Sequence, residues 1–371
     1  MNETDLARIE QLLDAPSLYP DAPRKSREQR KRELLDWYEA YDEVHGEYNL
    51  FGMDRVDADP PDTWLDNNIF RKQRYEVQSR FIPPNTDLAY NFTLIMRSKH
   101  VFDMFCQYVL GKRECYARSI AMFVGDRFYE NSFDQGLVTM PFAEYVAARP
   151  EGKRLVFKRS FGSNGDGVII ARIAEGKIEA EGETLSADEF AAKICDGDAT
   201  WLVQEFIVQS DFMNMLNESS VNTLRITTYH TGARCFVDDS TVIRYGKPGA
   251  VTDNIERPDG GGYYSSIDEN GCIGPLAFDL MEKTCHPSPF AGMEVPGVRE
   301  AEQLAVELHT HVPELFSVGW DVALGPNGPV VIEGNDGWGL ALTQTPFNQG
   351  RRKVWDTYLA ERQAYFASIE R

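Results

Sequence analysis

The sequence predicts an α+β fold, and three observations carry that expectation. Helical patterning recurs through the first 110 residues, at 3–14, about 25–45 and 98–110. Strand-like apolar runs then dominate from 154 to 245 and return at 316–332. Helical patterning recurs apart from them, near 186–195, 299–312 and 346–367. Strands gathered into runs, with helices set apart, are the pattern of that class.

In order, residues 3–14 and about 25–45 have helical periodicity. The second stretch is heavily charged and carries Leu34, Leu35, Trp37, Tyr38 and Tyr41 on its packing face. The basic residues from Arg24-Lys25 through Arg32 read as a solvated helix face, with phosphate binding the lesser alternative. Pro60-Pro61, within the acidic stretch 57–62, ends the helical region. Residues 98–110 form a further helix with Ser98 as N-cap. Lys99 falls in its first turn, where the macrodipole disfavours a cation, so a ligand is the better reason for it. Ser186 and Glu189 open the helix near 186–195 as a capping pair. Residues 245–295, rich in Gly, Pro and Asp, read as long loops over the active site. No internal repeat or low-complexity tract is present.

The chemistry-bearing residues fall in three segments. Near the C-terminus, Phe316–Leu324 and Pro329–Ile332 read as strands joined by the Gly-Pro-Asn-Gly turn at 325–328. The hairpin would set Asp321 beside Glu333, with Asn335 close by. Two carboxylates held that close are costly without a proton or a metal between them. Mg²⁺ with Asn335 as a neutral third ligand satisfies that need; a hairpin whose charges merely face water is the bland alternative. Upstream, the strand Arg154–Ser160 runs into Phe161-Gly-Ser-Asn-Gly-Asp-Gly167 and a second apolar run, 168–173. Gly162, Gly165 and Gly167, with Ser163 and Asn164 between, permit a tight turn whose successive N–H groups can cradle phosphates. Lys158 could reach the same phosphates. Neither a Walker loop nor a dinucleotide fingerprint fits, because a strand follows the glycines. Third, the strand Thr200–Val208 carries Gln204-Glu205. Its backbone could meet an adenine edge, with Gln204 on the exocyclic amine and Asp211 on the ribose, though an ordinary buried strand explains Val203 and Phe206 equally well.

The order Lys99, Lys158 with its Gly loop, Gln204-Glu205, Asn222-Thr-Leu-Arg225, Asp321, Glu333-x-Asn335 resembles the ATP-grasp superfamily. Within it the chain most resembles the sugar-transfer-associated ATP-grasp proteins. The residues carrying that closer match are Ser220–Ile226, Thr252-Asp-Asn254 with Gly260–Gly262, Thr284-Cys-His-Pro287 and Gly319-Trp-Asp321. The resemblance implies an ATP-grasp fold, two α+β lobes with nucleotide between them, preceded by a mainly helical N-terminal region. The boundaries expected are 1–97 for that region, 98–205 for the lobe with the Gly-rich lid and 206–371 for the lobe with the metal and substrate site. It further implies that Lys99 and Lys158 contact ATP phosphates under a lid at 162–167 and that Ile207 gives adenine its backbone hinge contact. Asp321, Glu333 and Asn335 would hold two magnesium ions, with Glu333 bridging. Arg225, beside Asn222, would stabilise the transferring phosphoryl group, and Arg244 with Asp253-Asn254 would line the acceptor site. Relatives tend to carry Gln-His after the hinge; here Gln209-Ser210 stands, and Asp211 could replace the ribose contact. Arg127 is second to Lys99 for the first lysine position.

A chain of 371 residues can hold two or three domains, and 21 Phe with 16 Tyr exclude a disordered protein. The formal charge of −20 argues against non-specific nucleic-acid binding. Against that field, Lys158, Arg159, Arg225 and Arg244 gather in the segments assigned to nucleotide and substrate, as an anionic ligand needs. Six cysteines without Cys-x-x-Cys spacing read as reduced thiols, and Cys285-His286 is a poor nucleophile–base pair because neighbours on an extended chain face opposite ways. With no apolar leader and no run of about twenty apolar residues, a cytoplasmic protein without membrane insertion is expected. A homodimer is the default assembly.

Together these features anticipate an ATP-dependent carboxylate-amine ligase of polysaccharide or natural-product biosynthesis. It would form an amide through an acyl phosphate, releasing ADP and phosphate, from a small-molecule carboxylate and an amine. Asp253 is the one candidate base for the amine. The alternatives are a kinase acting on a sugar or small-molecule hydroxyl and a nucleotide-binding protein without turnover.

Overall fold

The computed structural model describes residues 1–79, 92–132, 134–162, 167–195, 199–250, 252–255 and 261–369. The chain opens with α1 (Glu3–Asp14), α2 (Arg27–Tyr41) and α3 (Asn67–Ser79). Asn2 and Asp5 form a reciprocal capping box on α1, and Ser26 caps α2. Leu34 and Trp37 of α2 are buried, but Tyr41 turns outward. The basic run is not a free solvated face. Arg27 and Lys31, four apart on one side of α2, pair with Glu10, Arg27 also with Asp14, and the buried Arg30 donates to the Leu13 carbonyl.

The helices α4 (Leu94–Arg97) and α5 (Lys99–Leu110) follow. Phe102, Cys106 and Leu110 of α5 share one core with Trp320 and Val331 near the C-terminus. This helix, grouped by sequence with the first lobe, therefore packs on the sheet of the second.

The first sheet comprises β1 (Ser119–Val124), β2 (Arg127–Ser132), β3 (Gly136–Thr139), β4 (Arg154–Arg159), β5 (Val168–Ala174), β6 (Lys177–Ala180), β7 (Glu183–Leu185) and β8 (Thr200–Glu205), in the order β3-β2-β1-β8-β4-β5-β6-β7. Its pairings are antiparallel. Two helices, α6 (Phe142–Ala147) and α7 (Ala187–Ile194), share a core with one face through Phe142, Tyr145, Phe157, Phe190 and Trp201. Strand alternation sends Leu155 and Phe157 of β4 into that core and leaves Val156 and Lys158 for the other face.

After α8 (Asp211–Leu216), the second sheet comprises β9 (Thr223–His230), β10 (Cys235–Val237), β11 (Val242–Gly246), β12 (Gly262–Ser266), β13 (Leu276–Asp279), β14 (Thr284–Pro287), β15 (Ser317–Gly325) and β16 (Gly328–Asn335). The order is β14-β13-β12-β11-β9-β15-β16, with β10 also paired to β9. Hence the stretch 245–295 is not simply loops: short strands extend the sheet through it. All eight residues of β9 are buried. On one face α9 (Val298–Thr310) packs Leu304, Ala305 and Leu308 into the core that holds Ile226, Val318 and Trp320. The chain ends in α10 (Leu340–Gln344) and α11 (Arg352–Ile369), so the terminal helix starts later than the apolar pattern at 346 suggests. Trp355 and Leu359 of α11 join Leu34, Trp64 and Phe70 with Tyr229, Phe316 and Trp338 in a single core. The N-terminal helices are thus locked to the second sheet. Among the described residues no helix is long and apolar enough to cross a membrane.

Candidate active site

The faces left uncovered by the helices enclose a cavity of about 650 Å³. Three strands of the first sheet set one wall in register. Gln204, Val156 and Ile170 lie in one row across β8, β4 and β5, and Lys158 stands opposite Val168 in the next. All five line the cavity, with Glu205, Phe206 and Ile207 where the chain leaves β8. Gln204 is buried, donates to the Ala117 carbonyl at 2.6 Å, and leaves its side-chain oxygen without a hydrogen-bond partner. An amine reaching this wall would supply the missing donor.

The opposite wall is ionic. Arg225 of β9, Asp321 of β15 and Glu333 of β16 lie side by side across three strands. A bulge after Asp321 skips Ile332 in the β15–β16 pairing, so Ile332 and Glu333, neighbours in sequence, both face the cavity. Arg225 grips Asp321 through Nε at 2.5 Å and Nη2 at 3.1 Å. Arg244 of β11 lies 3.2 Å from Asp321 and 3.3 Å from Asp253, and donates to Thr223 at 3.1 Å. Gly319 makes room for this packing, because a Cβ there would lie 2.5 Å from Trp338 and 3.2 Å from Arg225.

Burial pushes the Asp321 carboxyl upward, but the two guanidiniums outweigh it and hold it below the ordinary carboxylate range. Glu333 has no such clamp: burial and the facing Asp321 raise it. This asymmetric pair, lining the cavity beside Asn335, fits a divalent cation, whose charge would offset the repulsion. Asn335 lines the cavity beside them; its carbonyl oxygen is a neutral ligand type, and its buried amide nitrogen, without a hydrogen-bond partner, is a donor open to a ligand oxygen.

Both lysines reach the cavity. Ser98 caps α5 as expected, accepting from the Val101 amide, and its hydroxyl meets that of Ser160 at 3.2 Å. That contact pins the start of α5 to the end of β4, and Lys99 Nζ donates to the Gly162 carbonyl at 2.8 Å. Lys158 is lowered to about 8, first by burial and against the pull of Glu333.

Several expected residues stand elsewhere. Asn222 is wholly buried outside the cavity lining, and its amide nitrogen donates to the Met213 and Asn217 carbonyls while its oxygen accepts from the Gly246 amide. It fastens β9 to β11 and α8. Asn222→Ala is accordingly expected to cost about 2–4 kcal/mol of stability, seen as a lower denaturation midpoint, while nucleotide affinity of the remaining folded protein is unchanged. Asp211 is exposed at the first position of α8 and does not line the cavity, so it replaces no ribose contact. Gln209 turns inward to Ser220 and Asn222, and Arg127 lies on β2 away from the cavity. Gly167 adopts a left-handed φ of +69° at the entry to β5 without lining the cavity. Ser163, Asn164 and Gly165 lie outside the described residues. Asp253 and Asn254 do line it, yet Asp253 has one oxygen on Thr223 and the other on Arg244. It positions Arg244, which leaves it poorly placed to act as a base. Cys285 donates to the Leu18 carbonyl and His286 meets Thr284, and none of the six cysteines forms a disulfide.

Sequence reasoning missed the rim formed by Arg97 and Asp336. Arg97 holds Asp336 through two contacts of 3.1 and 2.9 Å, and Arg74 of α3 donates to the Asp336 carbonyl. Asp336 directly follows the Glu-x-Asn element, which is the one signal that could have found it.

The sequence profile described as sugar-transfer associated ATP-grasp matches residues 126–357. No curated protein sequence matches the chain. Among solved structures, D-alanine–D-alanine ligase from Bacillus anthracis is similar at 11% identity and a TM-score of 0.39, over 73% of this chain and 68% of that one. VanG D-Ala:D-Ser ligase from Enterococcus faecalis gives 11% and 0.41, and this chain spans only 61% of its length. N5-carboxyaminoimidazole synthase from Aspergillus clavatus, in complex with ADP and 5-aminoimidazole ribonucleotide, gives 9% and 0.34 over 70% and 54% of the two chains.

Proposed function

Since the chain belongs to the sugar-transfer-associated ATP-grasp family, we propose that it is an ATP-dependent carboxylate-amine ligase. The observation that carries this reading is the cavity itself, where an apolar wall with Lys99 and Lys158 meets a carboxylate pair flanked by Arg225 and Arg244. Gln204 would accept from the adenine amine, with Ile207 beside it. Lys99 and Lys158 would hold phosphate oxygens. Magnesium, held by Asp321, Glu333 and Asn335, would supply neutralisation of phosphate charge. Phosphoryl transfer needs positioning and charge compensation more than a covalent protein group, and the described lining offers cations suited to that. Arg225 and Arg244, held rigid by Asp321 and Asp253, would orient the substrate carboxylate and its acyl phosphate. The amine then displaces phosphate and gives the amide.

The test is ADP and phosphate release with Mg-ATP across a matrix of carboxylates and amines. Release that requires one of each supports ligation. A phosphorylated hydroxyl acceptor without free phosphate would establish a kinase instead.

Nucleotide affinity should depend on pH through Lys158. With its pKa lowered to about 8 by burial, the ammonium is present below that value and lost as pH rises through it. ATP affinity is therefore expected to weaken by roughly tenfold between pH 7.5 and 9.5, measured by calorimetry. Lys158→Arg, which cannot deprotonate in this range, should show a flat profile.

A further inference from the structure

The N-terminal helical region carries a cluster that the nucleotide cavity does not use. Glu43, His45 and Glu47 stand at alternate positions just past α2, and Asp66 immediately precedes α3. His45 is completely buried beside the rings of Trp37 and Phe51, at centroid distances of 4.5 and 5.7 Å. Neither of its ring nitrogens has a hydrogen-bond partner. Nδ1 lies 3.8 Å from Glu47 Oε2, and one ligand atom from each of His45, Glu47 and Asp66 falls within 4.8 Å of the others.

Two facts separate this group from an ordinary acidic surface. An imidazole buried with both nitrogens idle is a rare and costly arrangement, and it faces carboxylates that repel one another. The carboxylates are also held in orientation. Asn67 donates to Glu47 Oε1 at 2.8 Å, Asn68 donates to Glu43, and Asp66 Oδ1 accepts the Asn68 amide at 2.7 Å while capping α3. Such amide contacts fix one oxygen and leave the other to point inward, which is how outer-sphere partners orient metal ligands. Arg8 lies against Gly46, and among the described residues no ion pair joins it to the cluster.

We propose that His45, Glu47 and Asp66 form a three-ligand site for a first-row transition-metal dication of the zinc type, separate from the nucleotide cavity. One imidazole with carboxylates suits zinc, whereas magnesium and calcium take oxygen donors alone. Ligand atoms around a tetrahedral zinc lie about 3.4 Å apart, so the side chains need to close by about an ångström. The ion would tie the turn after α2 to the start of α3. That helix carries Arg74 to the Asp336 carbonyl at the cavity rim, so the ion would brace the rim without touching substrate.

The full chain, treated with chelator and dialysed against excess Mg²⁺, is titrated with Zn²⁺ by calorimetry and its metal content read by mass spectrometry. One equivalent is expected in both the parent and Glu333→Gln, which separates this site from the cavity. Glu47→Gln and Asp66→Asn should each weaken zinc tenfold or more and lose the zinc-dependent rise in Tm. Asparagine caps a helix as well as aspartate does, so Asp66→Asn keeps the fold, checked by circular dichroism. No zinc on the parent, equal retention by both variants, or an anomalous zinc peak at Asp321 and Glu333 in place of His45 would each overturn the proposal.

Discussion

Glu333→Gln is expected to abolish magnesium-dependent ATP turnover and to leave the protein at least as stable as before. The two halves of that expectation have separate causes. Glu333 faces Asp321 in register at the cavity wall, so losing its charge removes half of the anionic pair proposed to hold magnesium. Metal-assisted charge neutralisation contributes several kcal/mol to phosphoryl transfer, and a fall in kcat/KM of roughly 10³-fold corresponds to about 4 kcal/mol. Stability moves the other way. Burial and Asp321 raise the Glu333 pKa on folding, so at neutral pH its ionised form opposes folding, and a neutral glutamine of the same shape relieves that cost. Single-turnover ATP consumption together with a thermal melt checks both. Loss of activity with loss of fold would place Glu333 in the scaffold and not in the metal site.

This carboxylate pair was legible in the sequence because everything that builds it is local. The turn at 325–328 fixes the hairpin, and two short apolar runs set which residues face each other. Ser98 as the cap of α5 and the Ser186–Glu189 box were legible for the same reason, since caps need residues only three apart. The bulge after Asp321 was not, because it appears only when β9 and β16 flank β15.

What failed was decided by distant contacts. Asn222 has the residue type of a site group, yet its side chain is taken up by Met213 and Asn217 of α8 and its cap and by Gly246 of β11, which only the folded chain brings to it. The stretch 245–295 has loop composition, but pairing to β11 and its neighbours recruits short pieces of it as strands that intrinsic propensity does not announce. The shared core of the N-terminal helices with Phe316, Trp338 and Trp355 spans some three hundred residues of chain, a distance at which periodicity says nothing. The rim pair Arg97–Asp336 belongs to the same category.

Asp321→Asn should behave unlike its neighbour Glu333, losing both activity and stability. Asp321 is buried and bonded to two buried guanidiniums, Arg225 at 2.5 Å and Arg244 at 3.2 Å. Arg244 retains Asp253 when Asp321 is neutralised, but Arg225 loses its charged partner. Removing one member of a buried ion pair costs about 3–5 kcal/mol, because the remaining charge stays desolvated and unpaired. That loss should lower the apparent Tm by roughly 5–10 °C. The cause can be isolated with a second substitution, Arg225→Met, which removes the stranded cation and keeps most of the side-chain volume. The double variant is expected to recover most of the lost stability, a coupling of at least about 2 kcal/mol in a double-mutant cycle, while magnesium-dependent turnover stays absent. Recovery of stability would establish Asp321 as the counter-ion to Arg225; its proposed role as a metal ligand is read separately, from loss of magnesium binding in Asp321→Asn, which keeps Arg225. A double variant no more stable than Asp321→Asn would instead mean that the carboxylate supports the sheet by some route other than its guanidinium contact.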